Sequence, residues 1–170
     1  DGSGIHRFTW DGRYAYISPE IDGYAGNICM ILDLKDPRNP EEVGRWHVPG
    51  QWTAGGEQPK WPHRDARCHH PMRMGDRLYV SYWHAGWYIL DISDMSKPTL
   101  VSGMDWSPPF PWPSHTCLPI PFECGGRNIM LVKANPGSGK SALAASLCRE
   151  LTENKTLEGG TVGVNNTKVI

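Results

Sequence analysis

The sequence predicts a mainly β fold built from repeated four-stranded antiparallel units, and three observations carry that prediction. Residues 30–40, Met-Ile-Leu-Asp-Leu-Lys-Asp-Pro-Arg-Asn-Pro, line up without a gap with residues 88–98, Tyr-Ile-Leu-Asp-Ile-Ser-Asp-Met-Ser-Lys-Pro. The 19 glycines and 15 prolines supply the turns that short strands need. Eight tryptophans and six tyrosines suit pleated, half-buried surfaces.

The repeat fixes the elements in order. Asp33 pairs with Asp91, Asp36 with Asp94 and Pro40 with Pro98, each at a shift of 58 residues. Upstream, Tyr14-Ala15-Tyr16-Ile17-Ser18 matches Arg77-Leu78-Tyr79-Val80-Ser81 at a shift of 63, and the excess in the first copy falls in the loop around Pro19–Gly26. The first copy reads as strands over 5–9, 13–18, 28–34 and 42–48, and the second as strands over 69–74, 77–83, 86–92 and 99–105. Asp11-Gly12 and Gly75-Asp76 are the turns between the first two strands of each copy. Asp36 and Asp94 are placed to accept hydrogen bonds from amides two residues on, and Pro40 and Pro98 stop the third strand. The proline-rich run 108–113 reads as an extended crossing between units. A third copy begins at Ser114 and reaches Asn128-Ile129-Met130-Leu131-Val132.

Four strands per repeat is the layout of a propeller blade. A β-sandwich has short strands at similar spacing but does not repeat its sequence at a fixed interval. Residues 1–132 are therefore read as an incomplete β-propeller of two to three blades, with a separate segment over 133–170. Open blade edges predict self-association. Residues 4–132 resemble the LVIVD-repeat family through Cys29-Met30-Ile31-Leu32-Asp33 and Trp87-Tyr88-Ile89-Leu90-Asp91, each followed by the Asp-x-x-x-Pro turn. The first copy keeps Asp36-Pro37 where the second has Asp94-Met95. That family is similar to selenium-binding-type propellers, and the resemblance implies a metal at the central channel and, by analogy, a metal-dependent oxidoreductase.

Three repeat starts carry histidine, in Gly4-Ile5-His6-Arg7, Cys68-His69-His70-Pro71 and Ser114-His115-Thr116. The first strand of a blade lines the channel, so equivalent positions converge on one axis. Imidazoles there suit copper, zinc or iron. His6 aligns with His69. Neighbouring residues of a strand face opposite sides, so only one of His69 and His70 is expected to point inward. His115 is the looser match because its strand offset differs. The expected metal ligands are thus His6, His69 or His70, and His115, with the bland alternative that they are channel-lining polar groups bonded to water or carbonyls. The loop through Trp52, Trp61 and His63 is placed to cover one mouth, and an unidentified ligand is expected at the channel or the blade-mouth loops.

After Val132 the sequence changes character. Ala134-Asn135-Pro136-Gly137-Ser138-Gly139-Lys140-Ser141 resembles the phosphate-binding P-loop, and 142–151 has the helix formers and apolar spacing of an α-helix. Strand, glycine loop and helix over 127–151 is the context this motif requires. Ala134 opens the motif. Gly137 and Gly139 would turn backbone amides onto a phosphate, Lys140 would neutralise ATP or GTP, and Ser141 would ligate Mg²⁺. No apolar run ending in Asp follows, so hydrolysis is not expected. The two parts follow no single family pattern, which predicts a fusion or chimeric junction within 128–136.

The totals exclude several classes. Seventeen Lys and Arg balance eighteen Asp and Glu, so no basic excess exists to hold nucleic acid. No apolar run approaches the ~20 residues of a membrane helix. Five cysteines, odd in number and without a CxxC pair, read as thiols in a reducing compartment. The opening Asp1-Gly2-Ser3-Gly4, without Met or signal peptide, reads as a cytoplasmic piece of something longer. No catalytic residue is spelled out.

Overall fold

A computed structural model describes residues 4–61, 66–105, 114–123, 126–134 and 143–146. They form three antiparallel sheets, each a simple up-and-down meander. The first blade contains β1 (Gly4–Trp10), β2 (Tyr14–Glu20), β3 (Cys29–Asp33) and β4 (Glu41–Trp46). The second contains β5 (Arg67–Met74), β6 (Arg77–Trp83), β7 (Gly86–Asp91) and β8 (Thr99–Met104). The third contains β9 (Ser114–Pro119), β10 (Met130–Ala134) and β11 (Leu143–Ser146). The eight strands expected in the first two copies are all present, in the expected order. No described helix is long and apolar enough to cross a membrane.

Turn chemistry fixes the blade corners. Asp11 Oδ1 accepts from the amides of Arg13 and Tyr14 at 3.0 and 2.8 Å. Asp36 and Asp94 accept from the amides of Arg38 and Ser96 at 3.0 and 2.9 Å, as their spacing predicts. The aspartates that end the third strands do two jobs. Asp33 caps the Lys35 amide and pairs with Arg13, and Asp91 caps the Ser93 amide and pairs with Arg77.

Packing follows from the period of two. In each blade one set of alternate residues faces forward and the other faces back. The back of the first blade presents Tyr16, Cys29 and Ile31, and these join Cys68, Leu78, Val80, Tyr82 and Leu90 from the front of the second in one buried cluster. Trp46 adds an aromatic wall, with its ring 5.7 Å from Tyr82 and 5.2 Å from Tyr88. The back of the second blade, with Trp87, Ile89 and partly buried Tyr79, packs in the same way on Cys117, Met130 and Val132 of the third. Gly44 lies so close to the Met95 carbonyl that a Cβ there has no room, so glycine lets the outer strand of one blade touch the turn of the next.

Two features depart from expectation. The helix expected over 142–151 is not seen. Of that stretch the described residues are Leu143–Ser146, and they form a strand running antiparallel to β10. Leu131 pairs with Ala145 and Val132 with Ala144, which puts β11 in the third-strand place of the last blade. A sheet edge offers a row of unpaired amides and carbonyls, and satisfying it outweighs the helix propensity of a short alanine-rich run. A helix of that length is marginal without tertiary support. The strand expected over 127–133 begins later, at Met130.

A buried amide ties the first two blades. Gln51, fully buried, donates through its Nε2 to the carbonyls of Ala25, Asn27 and Ala66 at 2.9, 3.0 and 2.9 Å. Its Oε1 accepts from the Val48 amide at 3.1 Å. Asn27 in turn accepts the Cys68 amide at 2.8 Å, so the entry to β5 is anchored to the first blade. Gln51→Leu removes these four bonds in a buried setting and is expected to cost on the order of 2 kcal/mol, read as a lowered urea midpoint with an unchanged slope.

Candidate functional site

The histidines lie where β1, β5 and β9 begin, and one irregularity of the ladder puts them there. Ile5 pairs with Pro19 and Phe8 with Ile17, so His6 and Arg7 together face Ser18. Cys68 pairs with Tyr82, His70 with Ser81 and Pro71 with Val80, so His69 is the extra residue of the second blade. Both are β-bulges at the same repeat position. A bulge bends its strand and re-aims a side chain.

A serine clamps each bulge. The Arg7 amide donates to Ser18 Oγ at 2.8 Å, and the His70 amide donates to Ser81 Oγ at 3.2 Å. Each hydroxyl also reaches the next blade. Ser18 Oγ lies 3.4 Å from the His69 carbonyl, and Ser81 Oγ donates to the His115 carbonyl at 3.0 Å. These bonds establish that His69 and His115 are equivalent, which strand offset alone left loose.

The rings converge. His69 lies 4.9 Å from His6 and 4.2 Å from His115 between ring centroids, while His70 stands 6.2 Å away, edge-on. Trp83 stacks on His69 at 4.9 Å with planes 17° apart. His69 is buried, His115 and His70 are half-buried, and His6 is exposed. His69 Nδ1 donates to the His115 carbonyl at 2.5 Å, and its Nε2 faces Arg7 Nε at 3.5 Å. His115 Nδ1 lies 3.1 Å from Thr116 Oγ1. The bulge thus resolves the choice between neighbours: His69, rather than His70, meets both His6 and His115.

Electrostatics keep these rings neutral. Burial, joined by the charges of His115, His6 and Arg7, outweighs the bond to the His115 carbonyl and lowers His69 to about 4. Burial with Arg7 and Arg67 lowers His6, and burial with Arg7 lowers His70. Burial with Lys133, Arg7, His70 and His6 lowers His115. Among the described residues no three His, Cys, Asp or Glu side chains are already grouped closely enough to hold a metal ion. The rings pack on one another instead.

Sequence reasoning did not single out Arg7, Trp83 or the two serines. The serines were legible, since Ser18 and Ser81 close the matched strand in both copies. Trp83 was not, because Glu20 occupies its place in the first copy. Trp83 Nε1 is buried and has no partner among the described residues. Of the P-loop residues only Ala134 is described, at the end of β10; Gly137, Gly139, Lys140 and Ser141 lie outside the described residues, as does His63. Trp61 packs against the cluster between the first two blades, whereas Trp52 is 45% exposed. An open crevice of about 520 Å³ lies apart from the histidines, lined by Asp11, Arg13, Tyr14, Arg73 and Gly75. Its charges are spoken for, since Arg73 bonds both Asp11 and the Tyr16 hydroxyl, at 2.6 and 3.0 Å.

Sheets of this order, stacked face to face with their first strands converging, define a propeller-like repeat scaffold. A family model described as the LVIVD repeat matches residues 74–105, which run from the end of β5 through β8. No curated protein matches the chain. The strand order, the serine clamp and the aspartate turns of the matched blade recur in the first blade.

The lowered histidines give stability a pH dependence. The unfolded chain takes up protons below about 6.5, whereas folded His69 resists until about 4. Its contribution is therefore present above 6.5 and lost as pH falls from 6.5 toward 4. Asp11, held at about 2 by amide and Arg73 bonds that outweigh its burial, adds a separate loss below 3.8. Urea midpoints measured from pH 8 to 4 are expected to fall through the upper window, and His69→Gln is expected to flatten that fall.

Proposed function

We propose that the chain is a propeller-type binding scaffold whose converging first strands hold a transition metal ion through His6, His69 and His115. The observation that carries this reading is positional. Three histidines occupy equivalent places on three successive blades, and His69 has the other two as ring neighbours at 4.9 and 4.2 Å. The donor chemistry fits. His69 commits Nδ1 to a backbone carbonyl, which leaves Nε2 as the lone-pair nitrogen, the arrangement by which protein ligands to metals are oriented; that nitrogen accepts from Arg7 Nε at 3.5 Å, so ligation requires the guanidinium to swing aside. All four rings are biased toward the neutral form that ligates. Binding requires His6 and His115 to turn from ring packing toward ligation, and the exposure of His6 leaves it free to do so. His70 stands at the rim as a reserve ligand. Copper, zinc and iron all accept imidazole nitrogen. With copper or iron the same site would support redox chemistry, the oxidoreductase reading that the family resemblance implied.

Nucleotide binding at 134–141 is the second reading, and it rests on Gly137, Gly139, Lys140 and Ser141. The strand at Leu143–Ser146 lies where that reading needs the start of a helix. One experiment separates the two. Elemental analysis by plasma mass spectrometry, after reconstitution with each metal in turn, is expected to show near-stoichiometric copper, zinc or iron. His69→Ala should abolish that signal and Lys140→Ala should leave it intact. Absence of metal from the folded chain, with saturable Mg·ATP binding lost in Lys140→Ala, would reverse the assignment.

A further inference from the structure

The two contacts between blades follow one rule: the back face of each blade covers the front face of the next. The front of the second blade, with Leu78, Val80 and Leu90, is covered by Tyr16, Cys29 and Ile31. The front of the third, with Cys117, Met130 and Val132, is covered by Trp87 and Ile89. The same rule identifies what fits the front of the first blade. There Ala15, Ile17 and Met30 form a small apolar cluster with Ile21, Leu32 and Leu34. Ile5, Phe8 and Trp10 pair with Pro19, Ile17 and Ala15, so they point to the same side, and they are 54%, 64% and 62% exposed. At the other end of the stack, no described residue of another sheet covers the back face of the third blade. Leu118 pairs with Leu131 there and is 42% exposed, beside exposed Lys133 and half-buried Thr116.

We infer that the front face of the first blade docks the back face of the third blade of a second copy of this chain, head to tail. The described residues carry both halves of an interface that is already used twice internally, one half on the first blade and one on the third. Each exposed apolar face is thereby met by the kind of face that covers its equivalents. Such a contact is heterologous, and it closes when the rotation per unit completes a turn. Two copies present six sheets among their described residues, within the four to eight of closed propellers. Pairing by faces also differs from pairing by the open strand edges, β4 and β8, which would give an isologous contact that leaves Phe8 untouched.

The test is sedimentation velocity of the full chain at concentrations up to about 100 µM, well above the dissociation constant of a specific interface. The expected species has twice the 19.0 kDa mass of the monomer. Phe8→Glu and Leu118→Glu, each at an exposed site and checked for folding by circular dichroism, should each sediment as monomers. An equimolar mixture of the two variants should associate again, because each retains the half that the other lacks. A wild-type monomer throughout would overturn the inference. So would a dimer indifferent to Phe8→Glu, or variants that fail to complement one another. A ladder of larger species would overturn the closed ring.

Discussion

A four-stranded sheet has two faces and, among the described residues of this chain, no α-helix to lie on. Each blade must therefore hide its apolar residues against another blade, and the structure depends on that constraint. It explains why both sets of alternate residues in β2, β3, β6 and β7 are largely apolar, unlike the single-sided alternation of a sheet with one wet face. It explains the glycine at position 44, where two blades come too close for a side chain. Burying a large apolar side chain contributes roughly 1.5–3 kcal/mol. The cluster joining the first two blades contains eight residues of that kind with essentially no exposure: Tyr16, Ile31, Val48, Leu78, Val80, Tyr82, Leu90 and Ile92. That cluster outweighs the isolated surface ion pairs, such as Arg13 with Asp33, whose arginine is more than half exposed.

The histidine site grows out of the same stacking. Faces that pack in register bring the first strands together, but strand alternation alone would not choose which residue meets the axis. The bulges choose. At each bulge a serine hydroxyl accepts an amide from its own blade and points toward a carbonyl of the next, so the local irregularity and the contact between blades are fixed by one side chain. The rings then meet in a partly dry setting where Arg7 opposes protonation. Neutrality is thus a property of place rather than of the imidazole itself.

The fold was legible because a repeat reports its own boundaries. Strands β1 to β8 and the roles of Asp36 and Asp94 follow from aligned residues and turn chemistry. The site was legible in part. Recurrence picked out His6, His69 and His115, but the preference for His69 over His70 depends on a one-residue insertion in the ladder, which no side-chain pattern announces. Arg7 and Trp83 escaped notice because neither recurs. The third blade was the hardest to read. Leu143–Ala145 has the composition of a helix, and it is a strand because of the edge it meets, a long-range fact absent from the local sequence. The glycine-lysine-serine run before it lies outside the described residues, so the strand is the part of that segment on which the expectation is corrected.

The bulge has one further consequence. The residue it displaces belongs to neither packing face: in the second blade it is His69, which has no partner across the ladder, while Cys68 and His70 on either side keep theirs. A substitution at that position keeps the ladder pairs of its own sheet while it changes both what the axis presents and the bond to the His115 carbonyl of the next blade. A repeat of this kind carries one letter per blade that the ladder itself does not fix. Successive copies can diverge at that letter alone, so new chemistry can be sampled around an unchanged architecture by drift at a handful of positions.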